Sequence, residues 1–223
     1  MNIIDVGAGM TKYYQQWLSQ YPTLRIFAIE PHYELFAKLE QFKKTLLLSN
    51  QNQIILLNCV ITSSKETELP FYINNDPNSS STLKLNNNNV SKWKHPIGRK
   101  RLCTTNVVNI TNTTINDLIE NHNIYYIDLL NIDVQGNSMD VLQGIKQEYY
   151  NKIKQINIKL HDIEYELYQN QTRRDQIETH LNMRFFSRGP KTKKISQDQE
   201  IILIYFNDIM KTKKAILFFQ NFL

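Results

Sequence analysis

The chain has 223 residues, of which 41% are apolar and 11% aromatic, and its formal net charge is +5. That length buries a sizeable core within one large domain, and the apolar share excludes an intrinsically disordered chain. The positive excess is Lys-rich and spread out, densest over Lys92 to Arg101 and Lys191 to Lys194, so it reads first as solvated surface and second as a footprint for nucleic acid.

The first element begins at once. Ile3 to Val6 is a short apolar run ending at glycines, the form of a buried parallel strand, and no signal peptide is expected before it. A helix over Thr11 to Gln20 carries Tyr13, Trp17 and Leu18 at helical spacing. Leu24 to Ile29 is the second strand, stopped by Pro31. Tyr33 to Leu47 is a helix with Leu35, Phe36, Leu39 and Phe42 on one side, Ile54 to Val60 a third strand, and Glu68 to Asn74 a shorter, alternating one. Asp76 to Arg101 then has loop composition: Ser79-Ser80-Ser81-Thr82, Asn86 to Asn89, and a basic stretch around Trp93. A loop this long inside a compact domain is functional or disordered, and it reads as a substrate-facing lid ahead of a plain linker.

Order then returns. Val107 to Ile110 is a strand, and Thr114 to Asn121 a helix capped by Thr113 or Thr114. Tyr126 to Val134 is a strongly apolar strand leading to Gln135-Gly136, followed by a helix over Ser138 to Tyr150, a strand over Ile153 to Leu160 and a helix over Thr172 to Leu181. Arg184 to Ser187 and Glu200 to Phe206 close the chain as an antiparallel hairpin around Gly189-Pro190. Strands alternating with helices imply an α/β fold, a mostly parallel sheet covered on both faces, with ligands at the C-terminal strand edge. Residues 1–210 read as one domain with 76–105 as its lid or substrate loop, and 211–223 as a C-terminal tail. No run approaches the ~20 apolar residues that span a bilayer. Cys59 and Cys103 suggest neither a disulfide framework nor a zinc cluster. A cytoplasmic, soluble protein without a metal is expected. The abundance of Asn, Ile and Lys reads as a genome biased toward A and T.

Three sites carry chemistry. At Asp5-Val6-Gly7-Ala8-Gly9 a strand stops and glycines permit a tight turn with close backbone approach, which also serves plain strand–helix turns and dehydrogenases. At Ile29-Glu30-Pro31 an acidic residue ends the next strand, about 20 residues past the glycines, the spacing of a carboxylate that accepts both ribose hydroxyls. At Ile132-Asp133-Val134-Gln135-Gly136 an acidic residue closes an apolar strand; it can orient an acceptor, take its proton, bind a metal, or cap the helix that follows. Ser79 to Thr82 offer hydroxyls to an acceptor or to solvent, and His161, after the strand ending at Leu160, either reaches the crevice or is structural.

These residues, in this order, resemble the FkbM-like methyltransferases. The resemblance rests on Ile4-Asp5-Val6-Gly7-Ala8, Ile29-Glu30-Pro31, Thr114-Ile115-Asn116-Asp117-Leu118, Asp133-Val134-Gln135-Gly136 followed by Val141-Leu142-Gln143-Gly144, and Leu167-Tyr168-Gln169-Asn170-Gln171. It implies a Rossmann-like class I methyltransferase fold, a mostly parallel seven-stranded sheet with a C-terminal antiparallel hairpin, and S-adenosylmethionine as cofactor. It further implies O-methylation of a hydroxyl on a sugar or other small molecule. Carried over by position, Asp5, Gly7 and Glu30 would hold the cofactor, Asn58 and Cys59 would lie beside its adenine, and Asp133 and Gln135 would face the acceptor. Ala8, Gly9 (where Asn is common in the family) and Pro31 complete the expected cofactor set, and His161 joins the expected catalytic set from its place after the strand, not from the resemblance. The sequence departs from the family pattern at Thr11, where glycine is usual, at Ser138, where Glu is usual, and at Asn131, where Lys is usual. Two other readings follow. Asp133, Lys159 and Glu200 supply three members of the Lys-Asp-Lys-Glu set of RNA ribose methyltransferases, though no Lys precedes the first strand. The departures at Asn131 and Ser138 are those expected of a methyltransferase fold kept as a binding module.

Overall fold

The structure is a computed structural model that describes residues 1–9, 13–92, 101–161, 165–184, 186–189, 193–194 and 200–208. The expected tail 211–223, the basic stretch around Trp93 and the departure at Thr11 lie outside the described residues.

Five parallel strands form the centre of the main sheet: β1 (Asn2–Val6), β2 (Arg25–Ile29), β3 (Ile54–Leu57), β7 (Leu129–Ile132) and β8 (Gln155–His161), in spatial order β3-β2-β1-β7-β8. Their near-continuous Ile and Leu content follows from burial on both faces. Alternation along β1 and β2 sends Ile4, Val6, Phe27 and Ile29 into one core layer, and Ile3, Ile26 and Ala28 into the other. β11 (Glu200–Asn207) runs antiparallel beside β8. Its outer edge carries two short antiparallel pieces, β9 (Phe186–Arg188) and β10 (Lys193–Lys194), so the closing hairpin is present and the sheet counts eight strands.

Helices cover the sheet: α1 (Tyr14–Gln20), α2 (Tyr33–Thr45), α3 (Leu48–Gln51), α4 (Ile115–Asn121), α5 (Ser138–Gln143), α6 (Gln147–Tyr150) and α7 (Arg174–Asn182). In α2 the His32 side chain accepts from Glu34 N, with Glu34 in the first turn and Lys43 and Lys44 in the last, matching the helix dipole. For α4 the cap is Thr114, in a reciprocal box with Asp117.

Three expected elements are shorter or broken. The helix expected over Ser138 to Tyr150 splits at Gly144, where a Cβ would meet the Thr62 carbonyl oxygen at 2.6 Å and where Asn116 bonds both Gly144 O and Lys146 N. The strand expected over Ile54 to Val60 ends at Leu57, because Asn58 turns its amide onto the carbonyls of Glu30 and Pro31. The chain then leaves the main sheet. The strand expected from Tyr126 is regular only from Leu129, with a single bridge at Ile127.

A second sheet of three strands, β4-β6-β5, stands beside the first. β4 (Val60–Ile61) pairs in parallel with the far end of β6 (Thr104–Thr113), and β5 (Glu68–Asn74) pairs antiparallel along its length. Between β5 and β6 the described residues of the expected lid, 76–92 and 101–103, carry local structure. Asp76 caps a 3-10 turn over Pro77–Ser79, a second such turn spans Val90–Lys92, and Leu85, Val90 and Leu102 pack with Leu167 and Tyr168 in a small core of their own. Among the described residues no helix is long and apolar enough to cross a membrane.

Candidate active site

The carboxyl ends of β1, β2 and β7 open onto a cavity of about 290 Å³, closed on its far side by β5 and the segment 77–82. One wall is a backbone turn. Gly7 adopts φ +79°, and a Cβ there would stand 2.0 Å from the Asp133 carbonyl oxygen. Only glycine lets the first turn lie against the end of β7. Gly9 also has a positive φ, +55°, but nothing stands within 4 Å of where its Cβ would be.

The Glu30 carboxylate ties this turn to the end of β2. Oε2 accepts from Gly9 N and Oε1 from His32 N, both at 2.8 Å. Burial pushes the Glu30 carboxyl up to about 7, opposed by these two amides and reinforced by Asp133 and Asp5. Asp5 lies one layer deeper. It is 3% exposed, and accepts from Tyr14 Oη at 2.6 Å and Asn131 Nδ2 at 2.8 Å. Burial raises its carboxyl too, while those two hydrogen bonds lower it.

The opposite wall is a side-chain network. Lys159, on β8, places Nζ 3.2 Å from Asp133 Oδ2, and Gln135 Nε2 donates to Asp133 Oδ1 at 3.0 Å. With its amide nitrogen so directed, Gln135 turns Oε1 toward His161 Nε2 at 3.0 Å, which makes that ring nitrogen the donor. Burial holds the His161 imidazole down at about 4, with Lys159 adding to the effect and Asp133 opposing it, so the ring is neutral at pH 7. Gln135 itself sits at φ +50°, a conformation costly for a residue with a Cβ. Its neighbours hold it there: Ser81 Oγ donates to Gln135 O, and a Cβ on Gly136 would touch the Tyr168 ring at 3.0 Å. Tyr168 in turn donates to Ser79 O at 2.7 Å and packs against His161.

Gly7, Ala8, Gly9, Glu30, Pro31, Cys59, Asp133 and Gln135 therefore line one cavity, while Asp5, Asn58 and His161 stand behind its wall. Asn58 braces the Glu30–Pro31 turn, and His161 reaches the cavity only through Gln135. Burial pushes the Cys59 thiol up to about 12, so it acts as an apolar wall. Ser80, Ser81 and Thr82 border the cavity rather than solvent. Ser138 is fully buried and absent from the cavity wall, its hydroxyl without a hydrogen-bond partner, so that departure leaves the cavity's acid–base groups as they are. Asn131 supports Asp5, the task a neutral amide can do where a cation is usual. Tyr14, Asn131 and Tyr168 were not legible as site residues, and Lys159 only as a member of the ribose methyltransferase set. The one trace of Lys159 is a lone cation in the apolar run Ile156 to Leu160. Among the described residues no three His, Cys, Asp or Glu side chains are grouped to hold a metal ion.

A parallel sheet with its last long strand antiparallel, and a glycine turn facing an acidic strand end, define the Rossmann-like methyltransferases. Residues 5–203 match the model of the methyltransferase FkbM domain, and the chain belongs to that family. The family uses S-adenosylmethionine. A curated relative, Methyltransferase 1 of Beauveria bassiana, is 26% identical over 164 residues, covering 72% of this chain and 64% of its own. The crystal structure of methyltransferase FkbM from Methylobacillus flagellatus KT superposes with a TM-score of 0.56 at 13% identity, covering 92% of this chain and 43% of that one. The chain thus spans less than two thirds of the length of either relative.

Proposed function

We propose that the chain transfers a methyl group from S-adenosylmethionine to a hydroxyl of a small, polar acceptor such as a sugar. The observation that carries this reading is the juxtaposition of two walls in one cavity: a backbone turn joined to Glu30 on one side, and Asp133 oriented by Lys159 and Gln135 on the other. The residues suit the cofactor. Gly9 leaves open space where a side chain would stand, and Glu30 is a buried carboxylate whose oxygens keep lone pairs for a ribose diol. Bound there, the cofactor supplies a methyl already activated on a sulfonium.

The protein's own part is positioning and proton handling. Asp133, with Oδ2 held by Lys159 and Oδ1 by Gln135, presents a fixed carboxylate that would orient the acceptor hydroxyl and take the proton it releases as the methyl leaves sulfur for that oxygen. Asn78, Thr82, Gln135 and Asn137 add neutral hydrogen-bonding groups along the acceptor side, the inventory that reads sugar hydroxyls. The test is calorimetry with S-adenosylmethionine together with product formation over a panel of glycosides. Asp133→Asn should lower turnover by about 10² to 10³ while leaving cofactor affinity within about twofold. Absence of cofactor binding at millimolar concentration, or full activity in the variant, overturns the proposal.

A second reading has one observation behind it. Lys84, Lys92 and Arg101 follow the walling segment 77–82 in the chain, outside the cavity lining, and none has a carboxylate partner among the described residues; Lys84 sits over Tyr72 and Lys92 over Tyr165. These cations favour an acceptor that carries phosphate, RNA included. Such an acceptor would bind with a steep salt dependence that a neutral glycoside lacks.

A further inference from the structure

We infer that the rim of the main sheet opposite the cavity docks on an anionic membrane surface, with leucine and tyrosine tips at the bilayer interface and cations against the lipid headgroups. The inference goes beyond methyl transfer and does not rest on it. The parallel strands open the cavity at their carboxyl ends, so the loops that feed their amino ends form the other face. Backbone hydrogen bonds of 2.8 to 3.0 Å join those loops side by side. Ile26 N donates to Gln53 O, Arg25 N to Met1 O, Asp128 N to Asn2 O and Lys154 N to Ile127 O, and Asn207 N, where antiparallel β11 arrives, donates to Lys154 O. From the loop before β3 to the end of β11 this rim extends about 24 Å at the ordinary spacing of strands.

Exposed apolar side chains gather on it. Of the eight large apolar side chains exposed among the described residues, five lie on these loops. Leu47 and Leu48 before β3, Tyr125 before β7 and Met183 before β9 are 71–78% exposed, and Tyr126 is 59% exposed. Met183 belongs to the rim because β9 begins opposite Asn207. A single exposed leucine needs no explanation, but adjacent pairs on two loops of one face mark a surface that meets a partner.

The same loops are basic. Arg25, Lys43, Lys44, Lys152, Lys154 and Arg184 stand there against two carboxylates, Asp128 and Asp208. Among the described residues only Lys154 has a carboxylate within ion-pair reach, Asp128 at 3.7 Å. A groove of about 790 Å³ is lined by Arg25 and Lys154 together with Tyr125 and Tyr126, so cations and aromatic tips share one depression. This combination selects the partner. A second copy would set one cationic rim against another. A nucleic acid would match the cations and leave the leucines in water. An anionic bilayer satisfies both, since tyrosines and leucines settle at headgroup level and each nearby cation adds to the attraction. The chain also leaves the sheet at this rim. Beyond Asn207 its sequence runs Lys211-Thr212-Lys213-Lys214-Ala215-Ile216-Leu217-Phe218-Phe219, three cations ahead of five apolar residues, the composition of a further contact with the same surface. Docking through the rim keeps the cavity, at the other end of the strands, open to water.

Co-sedimentation of the full chain with vesicles tests the proposal, using phosphatidylcholine alone and phosphatidylcholine mixed with phosphatidylserine in equal parts. The expected result is binding to the phosphatidylserine vesicles about tenfold or more tighter than to phosphatidylcholine, weakening as salt is raised. Leu47→Glu with Leu48→Glu should lower the partition coefficient by about tenfold or more, and Lys44→Ala by about fivefold, with unchanged circular dichroism spectra. Tyr125→Ser with Tyr126→Ser, on a separate loop, gives the same reading should the leucine variant fail to fold. Equal binding to both vesicle types, or rim variants that bind as the unaltered chain does, overturns the proposal. Loss of binding only in Lys213→Glu with Lys214→Glu would assign the contact to the tail alone and also overturns it. So does a chain that ignores vesicles but doubles its mass in solution through Leu47 and Leu48, which would assign the rim to a second copy.

Discussion

The two walls of the cavity are built on different principles. The wall proposed for the cofactor is backbone: a turn with two positive-φ glycines, a carboxylate held by two amides, and a strand end, all within residues 5–32. The acceptor wall is a relay of side chains drawn from four distant places: Ser79 to Ser81, Asp133 and Gln135, Lys159 and His161, and Tyr168. A backbone wall tolerates little change in shape and demands little of neighbouring side chains. A side-chain relay can be altered one member at a time.

Glycine substitutions break the comparison most sharply. Gly7→Ala places a Cβ 2.0 Å from the Asp133 carbonyl oxygen, so both walls must move apart. Chemical unfolding should show a loss of more than about 3 kcal/mol, and cofactor binding should disappear. Gly9→Ala meets open space and only the left-handed backbone cost, about 1 kcal/mol. Equal losses in the two variants would mean that backbone conformation, not contact with β7, explains Gly7.

Next in size is the pH dependence of cofactor affinity. The Glu30 carboxyl, raised by burial to about 7, is largely ionised at pH 8 and largely protonated at pH 6. If the ionised form accepts the ribose hydroxyls, affinity should fall about tenfold between those values. Glu30→Gln should bind weakly and show a flat profile. In the absence of ligand the sign runs the other way. A carboxyl raised from 4.5 contributes stability below 4.5 that is lost as pH rises through about 7, so the ligand-free protein is destabilised where binding is best.

On the acceptor wall, His161→Phe removes the donor that turns the Gln135 amide toward Asp133. Turnover should drop by about tenfold with cofactor affinity unchanged. His161→Asn, which retains an N–H, should recover part of it, and failure of that rescue would reduce His161 to packing. The smallest effect lies away from the cavity. Burial and Arg184 hold His180 at about 4, and its ring meets Tyr150 Oη at 2.8 Å. A lowered histidine contributes stability that is complete above pH 6.5 and lost as pH falls toward 4. The urea midpoint should decline over that window, and His180→Phe should flatten part of the decline, leaving the share of His161, which has the same sign.

The same contrast explains how much could be read in advance. That Gly7, Gly9 and Glu30 lie on one cavity was legible because a turn and a strand end are local events written at fixed spacing. The succession of strands and helices, a threonine cap at 113 or 114 and the closing hairpin were legible for the same reason. The opposite wall was legible only where a motif crossed it, at Asp133 and Gln135. Asn131, judged a departure, turned out to face Asp5, and Ser138, judged a loss, turned out to face the core. Neither orientation follows from position along the chain.

The amino-acid sequence by itself determined the α/β frame and the glycine turn at residues 7–9. Hydrophobic periodicity and glycine placement act over a few residues, and the parallel sheet converts them into a strand edge where ligands bind. Tertiary structure decided the rest. It brought Lys159 to Asp133 across 26 residues and Tyr168 to Ser79 across 89, broke a helix where Gly144 meets Thr62, and packed Leu85, Val90 and Leu102 of an expected loop with Leu167 and Tyr168. Those contacts join segments far apart in the chain, and their energies depend on burial and partner geometry that exist only once the sheet has formed.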